Sequence, residues 1–439
     1  MKKILSIAIS TVMAAFMLSS CGSPSAVTND NTTSAAPATS VPATAAPETA
    51  APPPAASADN SAGSSSKTTI NFGAQADDTA GTQDMIDKFN SSQDQYAINW
   101  VQFTNDSGQM HDQLITSMSS GSSEYVVISM DVVWAGEFAA AGYIDAIDMP
   151  MSDAGLTKDM FNSGSMAAGF YNGKQYTLPF FPDLGLLYYR SDIVSSDDAN
   201  KLVSGNYTYD DLAAMAAKYK GQGGTDTGFV YQSKQYEGLV CNATEFTKSF
   251  QDINGGLTEM KKFTDSDFVP ADILNYDEGA THTSFNNGKS VFARNWPYEY
   301  GMILAGDQTV KKEQVGVAPL PNGGSVGGWL LGMNKNSANK DGAWAFMQFV
   351  AGKDGQTILS TTGGHVPGLN ALLDDAAVKA ANPMLSFDGF KKAVSTTISR
   401  PVSSTYTKTS DTIQINVSKY LSGGQDIDTT VSAVQDALK

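Results

Sequence analysis

The sequence predicts an α/β fold arranged in two domains. Strand and helix patterns alternate along the chain after residue 67, a mixture that is typical of sheets covered by helices. About 370 of the 439 residues follow that point, and a single hydrophobic core stops growing at roughly 250 to 300 residues. The length therefore favours two domains, as a prior rather than a count.

The first five predicted elements follow the order strand, helix, strand, helix, strand. Apolar residues recur on one face of each helix, and the third strand is apolar throughout. This order predicts a mostly parallel sheet, whose ligands are expected beyond the carboxyl ends of the strands. The predicted strands cover 68–72, 96–103 and 125–128, and the helices between them cover 81–90 and 109–119.

Asp131 follows the third strand directly and precedes a predicted helix at 132–141. At the carboxyl end of a parallel strand, an Asp lies where α/β proteins bind their ligands. An Asp at a helix start also caps free backbone N–H groups. The sequence is compatible with either role.

The first 21 residues have the pattern of a bacterial export signal. Lys2 and Lys3 precede an apolar run at 4–18 that is shorter than a membrane span. Leu-Ser-Ser-Cys at 18–21 resembles a lipobox, which implies cleavage before Cys21 and lipid on its sulfur and amine. Because several acyl chains hold a protein firmly at a bilayer, we expect 1–20 to be removed and the chain to be anchored outside the cell membrane. An ordinary signal peptide with an incidental Cys is the alternative.

Residues 21–67 form a predicted disordered linker after the lipidated Cys. They are nearly all Ala, Pro, Ser and Thr, so they bury too little apolar surface to offset the entropy of ordering. A chain of this length keeps the folded part within roughly 40 Å of the membrane. We therefore expect the protein to work close to a membrane partner.

Composition excludes several classes of function. The net charge of −17 argues against nucleic acid as a ligand. Once Cys21 is lipidated, Cys241 has no partner for an intrachain disulfide. The three histidines lack metal-ligand spacing, and the chain has no Gly-x-Ser-x-Gly elbow. We predict no metal, no cofactor and no catalytic residues.

Ordered blocks along the chain carry a family resemblance. They are YVVISMDVVWAGEF (125–138), AGYID (141–145), GKQYTLP (173–179), GLLYYR (185–190), FNNGKSVFARNWP (285–297), GGW (327–329) and SANK (337–340). Their order and spacing resemble the extracellular solute-binding proteins of family 1, the carbohydrate-binding lipoproteins of ABC transporters. Within that family the chain is most similar to the trehalose/maltose-binding group.

The resemblance implies a two-lobed periplasmic-binding-protein-like fold, with a hinge and a ligand cleft between the lobes. By analogy, the first lobe holds 68–179 and 297–352, and the second holds 180–296 and 353–439. Closure around a ligand requires that the closed form bind it more tightly than the open form does. The closed form is then the one that the transporter recognises.

Aromatic residues are the expected walls of a sugar site. A sugar ring has apolar C–H faces and hydroxyl edges, which call for flat side chains and for polar groups respectively. Trp296 and Tyr298 lie in a segment too rich in aromatic and polar groups for core alone. The resemblance adds Trp329, and Phe181 at a position where relatives can carry Tyr. Core packing of one of the two Trp residues is the alternative.

The resemblance also implies polar contacts. Asp131 and Asp183 match family positions that hydrogen-bond sugar hydroxyls, although Asp183 could instead be a solvated loop residue. Arg400 matches a family arginine that faces the cleft. Relatives place an acidic residue after the first strand, here Asp77 or Asp78, and we predict Asp78 as the contact.

The sequence leaves the roles of two glycine-containing segments and one histidine undecided. Gly327 and Gly328 either let the backbone approach a ligand closely or shape a turn; we include Gly327 in the predicted site. The segment 361–367 is either a structural turn or a loop that faces the cleft. The basic contact that relatives carry near the second helix is not reproduced, since only His111 is available there.

Taken together, these features predict a lipid-anchored, monomeric substrate-binding subunit of an ABC sugar importer. It would bind an oligosaccharide, in the first place a disaccharide, by hinge closure and deliver it to the transmembrane permease subunits. Three alternatives stay open: a surface-anchored glycoside-processing enzyme, a binding protein for a non-sugar solute, and a sensor that presents a bound sugar to a membrane receptor.

Overall fold

The computed structural model describes residues 66–401 and 403–439. The predicted signal peptide, Cys21 and nearly the whole linker lie outside the described residues. Two main sheets and one small hairpin make up the strands of the described part. The strands are β1 (Thr68–Gln75), β2 (Tyr96–Phe103), β3 (Val127–Asp131), β4 (Phe170–Tyr171), β5 (Lys174–Gln175), β6 (Thr177–Leu184), β7 (Leu186–Arg190), β8 (Thr227–Val230), β9 (Ser290–Asn295), β10 (Val315–Ala318) and β11 (Val326–Met333).

Helices cover the sheets, and several begin at a side-chain cap; for example, Asp106 accepts a hydrogen bond from the backbone N–H of Gln109 at 3.1 Å. The helices are α1 (Gly81–Ser92), α2 (Ser107–Ser119), α3 (Ala135–Ala140), α4 (Asp148–Asp153), α5 (Ser163–Ala168), α6 (Ser196–Ser204), α7 (Tyr209–Tyr219), α8 (Glu237–Phe246), α9 (Ile253–Thr264), α10 (Glu278–Asn286), α11 (Tyr298–Leu304), α12 (Lys340–Ala351), α13 (Lys353–Thr361), α14 (Ala376–Ala381), α15 (Asp388–Val394), α16 (Tyr406–Leu421) and α17 (Ile427–Ala437).

The first sheet has the strand order β2-β1-β3-β11-β6. β1 is parallel to both β2 and β3, which confirms the parallel arrangement predicted for the first three strands. β11 then runs antiparallel to β3 and to β6. Phe72 and Phe346 pack edge to face, with ring centroids 5.1 Å apart, in the core beneath this sheet.

The predicted helix at 132–141 is shorter than expected. β3 extends to Asp131, and a turn follows in which the Trp134 N–H donates to the Asp131 carbonyl at 2.9 Å. α3 therefore begins only at Ala135.

The second sheet has the order β10-β7-β9-β8, with β7 antiparallel to β9 and β10, and β8 parallel to β9. Its core includes the stacked rings of Tyr209 and Phe246, whose centroids are 3.9 Å apart.

Three stretches depart from the predicted lobe boundaries. β10 lies inside 297–352, yet it pairs with β7 of the second sheet. The last part of β6, at 180–184, stays in the first sheet. Leu359 of α13 packs into the core of the first sheet, although 353–439 was predicted for the second lobe. Each of these short elements is placed by its tertiary partner, which local sequence does not reveal.

The chain crosses between the two sheets at Gly185 and at Gly324-Ser325, which lie side by side. The Gly185 N–H donates to the Ser325 carbonyl at 3.0 Å. A Cβ atom on Gly185 would lie 2.1 Å from Glu245 Oε1, and one on Gly324 would lie 1.9 Å from the Gly185 carbonyl oxygen. Only glycine fits at these two positions.

Within the described residues, no helix combines the length and the apolar character needed to cross a membrane.

Candidate ligand-binding site

A cavity of about 430 Å³ is lined by strands of the first sheet and by helices and loops that follow strands of the second sheet. Its volume falls in the range of small-molecule sites. A hollow of about 860 Å³ elsewhere, beside Lys340 and Trp344, contains none of the residues predicted to bind ligand. The 430 Å³ cavity brings all nine of them together, namely Asp78, Asp131, Phe181, Asp183, Trp296, Tyr298, Gly327, Trp329 and Arg400.

Strand register places three of these side chains in one row of the first sheet. Trp329 on β11 pairs with Asp131 on β3 at one side and with Phe181 on β6 at the other. Two residues earlier along β11, Gly327 pairs with Asp183. The row therefore places one carboxylate and two aromatic rings along one wall of the cavity.

Gly327 and Gly328 allow other parts of the protein, and not only a ligand, to approach the backbone closely. A Cβ atom on Gly327 would lie 2.8 Å from the indole of Trp296, so that ring rests on the bare backbone. Gly328 has φ +116°, where a side chain would be strained, and its Cβ would lie 2.6 Å from the Phe181 carbonyl oxygen. Gly327 thus lets Trp296 lie against the first sheet, and Gly328 lets β11 approach the backbone of β6.

The aromatic residues of the cavity are held by specific neighbours. The Arg294 guanidinium lies 4.0 Å from the centroid of the Trp296 ring, and Trp296 Nε1 donates to Glu278 Oε1 at 3.3 Å. Trp329 meets the edge of Trp134, with centroids 5.6 Å apart. Both Trp296 and Trp329 remain partly exposed, whereas Trp134 is buried. Phe181 does not offer both of its faces, since His365 stacks on one of them at 3.9 Å between centroids.

Arg400 joins the first sheet to α8. Its Nη2 donates to Asp131 Oδ1 at 2.6 Å, and its Nη1 donates to Asp131 Oδ2 at 3.2 Å and to Glu237 Oε1 at 2.7 Å. Glu237 also accepts hydrogen bonds from the hydroxyls of Ser410, at 2.5 Å, and Tyr406. Burial opposes the charge of Arg400, but the carboxylates of Asp131 and Glu237 outweigh it and raise the pKa of the guanidinium.

Asp131 does not cap the helix that follows it. Besides the two bonds from Arg400, its Oδ1 accepts from the backbone N–H of Val133 at 3.2 Å, inside the turn that precedes α3. The carboxylate is therefore fixed at the cavity wall by the guanidinium.

The structure separates the two candidate acids that follow β1. Asp77 Oδ1 accepts from the backbone N–H and hydroxyl of Thr79, and its Oδ2 accepts from the same groups of Thr82, at 2.6 to 3.0 Å. Among the described residues Asp78 has no hydrogen-bond partner, and its carboxylate stays open at the edge of the cavity.

Asp183 is the carboxylate least compensated by its surroundings. Its Oδ1 is buried and has no hydrogen-bond partner in the described part of the chain. Burial raises the pKa of Asp183 to about 7, and the nearby charge of Asp131 adds to this, while His365 and Arg294 oppose it. A ligand hydroxyl that donates to this oxygen would satisfy it.

Sequence reasoning missed many of the cavity residues, among them Lys234, Tyr236, Glu237, Glu278 and His365. Glu237 and Glu278 lie in the first turns of helices, where acidic residues are common because they favour the helix dipole. The only sequence signal for His365 was the open reading of 361–367. His111 is not a cavity residue, since it is buried against Trp134 with its Nε2 3.2 Å from Glu137 Oε2.

The cavity is acidic overall. Lys234 and Arg400, which line it, are each paired with carboxylates. Arg400 contacts two carboxylates, and Lys234 lies 3.0 Å from Asp277. The arrangement suits a neutral or cationic solute with many hydroxyl or amine groups. The acidic residues of the lining are Asp77, Asp78, Asp106, Asp131, Asp183, Glu237, Asp277 and Glu278. Within the described ranges, no group of three His, Cys, Asp or Glu residues is arranged to hold a metal ion.

Two helix-covered sheets joined by close crossing strands, with a polar and aromatic cavity between them, define a ligand receptor of the two-lobed α/β class. Residues 84–385 match the bacterial extracellular solute-binding proteins, and the chain belongs to this family. Its relatives are substrate-binding proteins of ABC transporters, so it is a binding protein and not an enzyme.

Individual relatives agree with this membership. The chain is 28% identical over 310 residues to a probable ABC transporter-binding protein of Deinococcus radiodurans, covering 63% of this chain and 70% of the relative. It is 25% identical over 278 residues to a maltotriose-binding protein of Pyrococcus abyssi, covering 60% of this chain and 58% of the relative. The maltose-bound structure of T. maritima MalE3 superposes with a TM-score of 0.75 at 26% identity, covering 84% of this chain and 99% of the other. The predicted fold class and family are therefore confirmed.

Proposed function

We propose that this protein is a lipid-anchored sugar receptor of an ABC importer, and that the 430 Å³ cavity binds a disaccharide-sized ligand. The main support for this proposal is that the nine residues predicted from sequence all line one cavity. In this proposal Trp296, Trp329 and Tyr298 cover the apolar ring faces, and Asp78 and Asp183 accept from hydroxyl groups.

The ion pair of Arg400 and Asp131 gives the site a fixed polar wall. Its two hydrogen bonds hold the guanidinium and the carboxylate in one orientation before any ligand arrives. Preorganised groups lose less entropy on binding than free side chains do. Arg400 Nε is buried and has no partner among the described residues, so it is the donor that we assign to the sugar.

Closure of the two lobes around the sugar completes the proposal. The narrow crossing at Gly185 and Ser325 would allow the sheets to rotate, and the ligand would favour the closed form by contacting both. Anchoring at Cys21 would keep the loaded receptor at high effective concentration near its permease. The receptor would then deliver the sugar to the transmembrane subunits.

Ligand titration tests the sugar assignment. The purified mature chain is titrated with maltose, trehalose, maltotriose and glucose, and in parallel with amino acids and polyamines, by calorimetry and Trp fluorescence. We expect a disaccharide or trisaccharide to bind tightest and to be recovered intact. Binding of an amino acid or a polyamine with no response to any sugar would overturn the sugar assignment.

Membrane fractionation tests the anchor. Cys21→Ser should release the protein from the membrane and abolish labelling by a fatty acid, while the matched change Cys241→Ser should do neither. A Cys21→Ser variant that stays in the membrane would contradict lipid anchoring.

A further inference from the structure

His365 is a buried side chain with no internal partner. The residue is 4% exposed and lines the cavity. Neither of its ring nitrogens, Nδ1 and Nε2, has a hydrogen-bond partner among the described residues. A buried polar group left unpaired lowers the stability of the fold, so an imidazole with two such nitrogens at a cavity wall points to a ligand.

The surroundings of His365 hold its ring in place without forming hydrogen bonds to its nitrogens. The imidazole stacks on Phe181 at 3.9 Å between centroids, with an angle of 18° between the rings. Its backbone N–H donates to the Leu359 carbonyl at 3.2 Å, and Asn382 donates to the carbonyl of the preceding Gly364 at 3.2 Å. The loop is thereby tied to α13 and to the segment after α14, so the ring cannot easily turn away from the cavity.

Asp77 supplies a fixed charge beside the ring. Its Oδ2 lies 3.9 Å from His365 Nε2, which is too far for a hydrogen bond but close enough for electrostatic attraction. Four hydrogen bonds from Thr79 and Thr82 already occupy its two oxygens. Burial opposes ionisation of Asp77, but His365 and these hydrogen bonds outweigh it and hold its pKa well below the usual range. Asp77 therefore stays charged and orients the imidazole instead of contacting the ligand.

We propose that His365 is a ligand-contacting residue that determines specificity, and that one of its ring nitrogens binds a hydroxyl group of a neutral sugar. This rests on the proposed sugar-binding function and adds a named contact to it. Asp183, whose Oδ1 also lacks a partner, lines the same cavity. A sugar hydroxyl can donate to one group and accept from another, so neighbouring hydroxyls on one ring can satisfy both residues.

The specificity follows from the cost of unpaired groups. A site built to hydrogen-bond a hydroxyl rejects an analogue that lacks it much more strongly than an apolar pocket rejects a missing methylene group. A sugar whose hydroxyl at this position is absent or inverted leaves the imidazole unpaired again. His365 should therefore discriminate between sugars of the same size.

The test compares two substitutions at His365. His365→Phe keeps a flat ring on Phe181 but removes both nitrogens, and His365→Gln keeps hydrogen-bonding groups. Using the mature chain and the tightest binder among maltose, trehalose and maltotriose, we expect His365→Phe to weaken binding about tenfold or more and His365→Gln to recover part of the loss. His282→Gln, outside the cavity lining, is the matched control and should bind as wild type does.

Monodeoxy analogues of that sugar identify the contact. One analogue should bind wild type much more weakly than the parent sugar but bind His365→Phe as well as the parent does, because the partner of the missing hydroxyl is already gone. Thermal unfolding of each variant shows whether a loss comes from the fold.

The outcomes separate the two proposals. If wild type binds none of the three sugars, the proposed function fails and this contact fails with it. If wild type binds and His365→Phe binds equally well, or every deoxy analogue loses the same affinity against both proteins, only the role of His365 is overturned.

Discussion

Two buried arginines flank the cavity, and they differ in what surrounds them. Arg400 faces the cavity and holds two carboxylates, Asp131 from the first sheet and Glu237 from α8. Arg294 lies behind the cavity wall, where Glu245 accepts its bonds at 2.5 and 2.9 Å and both side chains are 1% exposed. Similar ion pairs therefore serve a surface that a ligand can reach and an interior that it cannot.

Arg294 and Glu245 connect the aromatic wall to the crossing strands. One face of Arg294 carries the Trp296 ring, and Glu245 Oε1 accepts from the backbone N–H of Ser325 at 2.9 Å. Burial opposes the charge of Arg294, but Glu245 outweighs it and raises the pKa of the guanidinium. The two guanidinium side chains are almost equally buried, at 1% and 2% exposure, but Asp131 and Glu237 are 11% and 12% exposed whereas Glu245 is 1% exposed. The exposure of the carboxylate partners, rather than the pairing itself, therefore separates the structural ion pair from the one at the cavity.

Breaking the interior pair of Arg294 and Glu245 should lower stability more than any other change considered. Arg294→Met leaves Glu245 buried without a counter-charge, and we expect it to lower the free energy of unfolding by about 3 to 5 kcal/mol. Urea unfolding measures this change. Lys261→Ala, which breaks an exposed pair with Asp265 at 2.6 Å, is the control and should cost about 0.5 kcal/mol or less. An Arg294→Met protein as stable as the control would contradict the structural role.

Breaking the cavity pair should act mainly on binding. Arg400→Met removes the preorganised donor, and we expect sugar affinity to fall by about 2 to 3 kcal/mol, within the range of interface hot spots. Stability should fall less than in Arg294→Met, because water in the cavity can solvate Asp131 and Glu237. Calorimetry and urea unfolding on both variants give the two numbers. Equal losses of stability would remove the distinction between the two arginines.

Each side of the cavity has one Trp residue, Trp329 on the first sheet and Trp296 directly after β9 of the second. Trp296→Ala and Trp329→Ala should each weaken sugar binding by about 1 to 3 kcal/mol if a stacked ring is lost. Trp100→Phe, in the packing of the first core, should leave affinity unchanged. Fluorescence titration checks all three, and unchanged affinity in one of the cavity variants would remove that Trp from the site.

The contribution of Asp183 to stability depends on pH. Its folded pKa of about 7 lies above the ordinary value of 3.8, so the folded protein keeps a proton that the unfolded chain loses between these values. Stability therefore falls as pH rises through this window, by at most roughly 1.4 kcal/mol per pH unit. Asp183→Asn should abolish this contribution, so its stability relative to wild type should increase from pH 5 to pH 7 and stay level above.

Unfolding curves at several pH values check this prediction, with the exposed Asp94→Asn as a control. A stability difference between Asp183→Asn and wild type that does not change with pH would show that Asp183 titrates normally.

The sequence predicted the type and order of the first elements well, because their patterns are local. Phe181 and Trp329 were found through the family resemblance, and Asp131 also through its position at the end of a predicted strand, but their arrangement in one row depends on strand register. Register is set by pairing across β3, β11 and β6, which no local pattern reports. β10 was misplaced for the same reason, since four residues carry too little signal to name a partner strand.

The site was predicted less completely than the fold. Glu237 looks like an ordinary helix-start acid until the tertiary structure brings Arg400 to it. His111 is the one basic residue that the sequence offers near the second helix, but it is buried in contact with Glu137 and Trp134. Such outcomes depend on which distant elements meet, and a single sequence does not contain that information in readable form.

The tight crossing at Gly185 and Gly324 limits how this receptor can be engineered into a sugar sensor. Reporter proteins and dyes are usually placed where a moving protein bends, yet here neither glycine can accept even a methyl group without meeting Glu245 or the opposing backbone. Insertions at these positions should block the closure proposed for the two lobes. Attachment points on the outer surfaces, such as the exposed Met149 and Val394, leave the crossing intact and are the better choice.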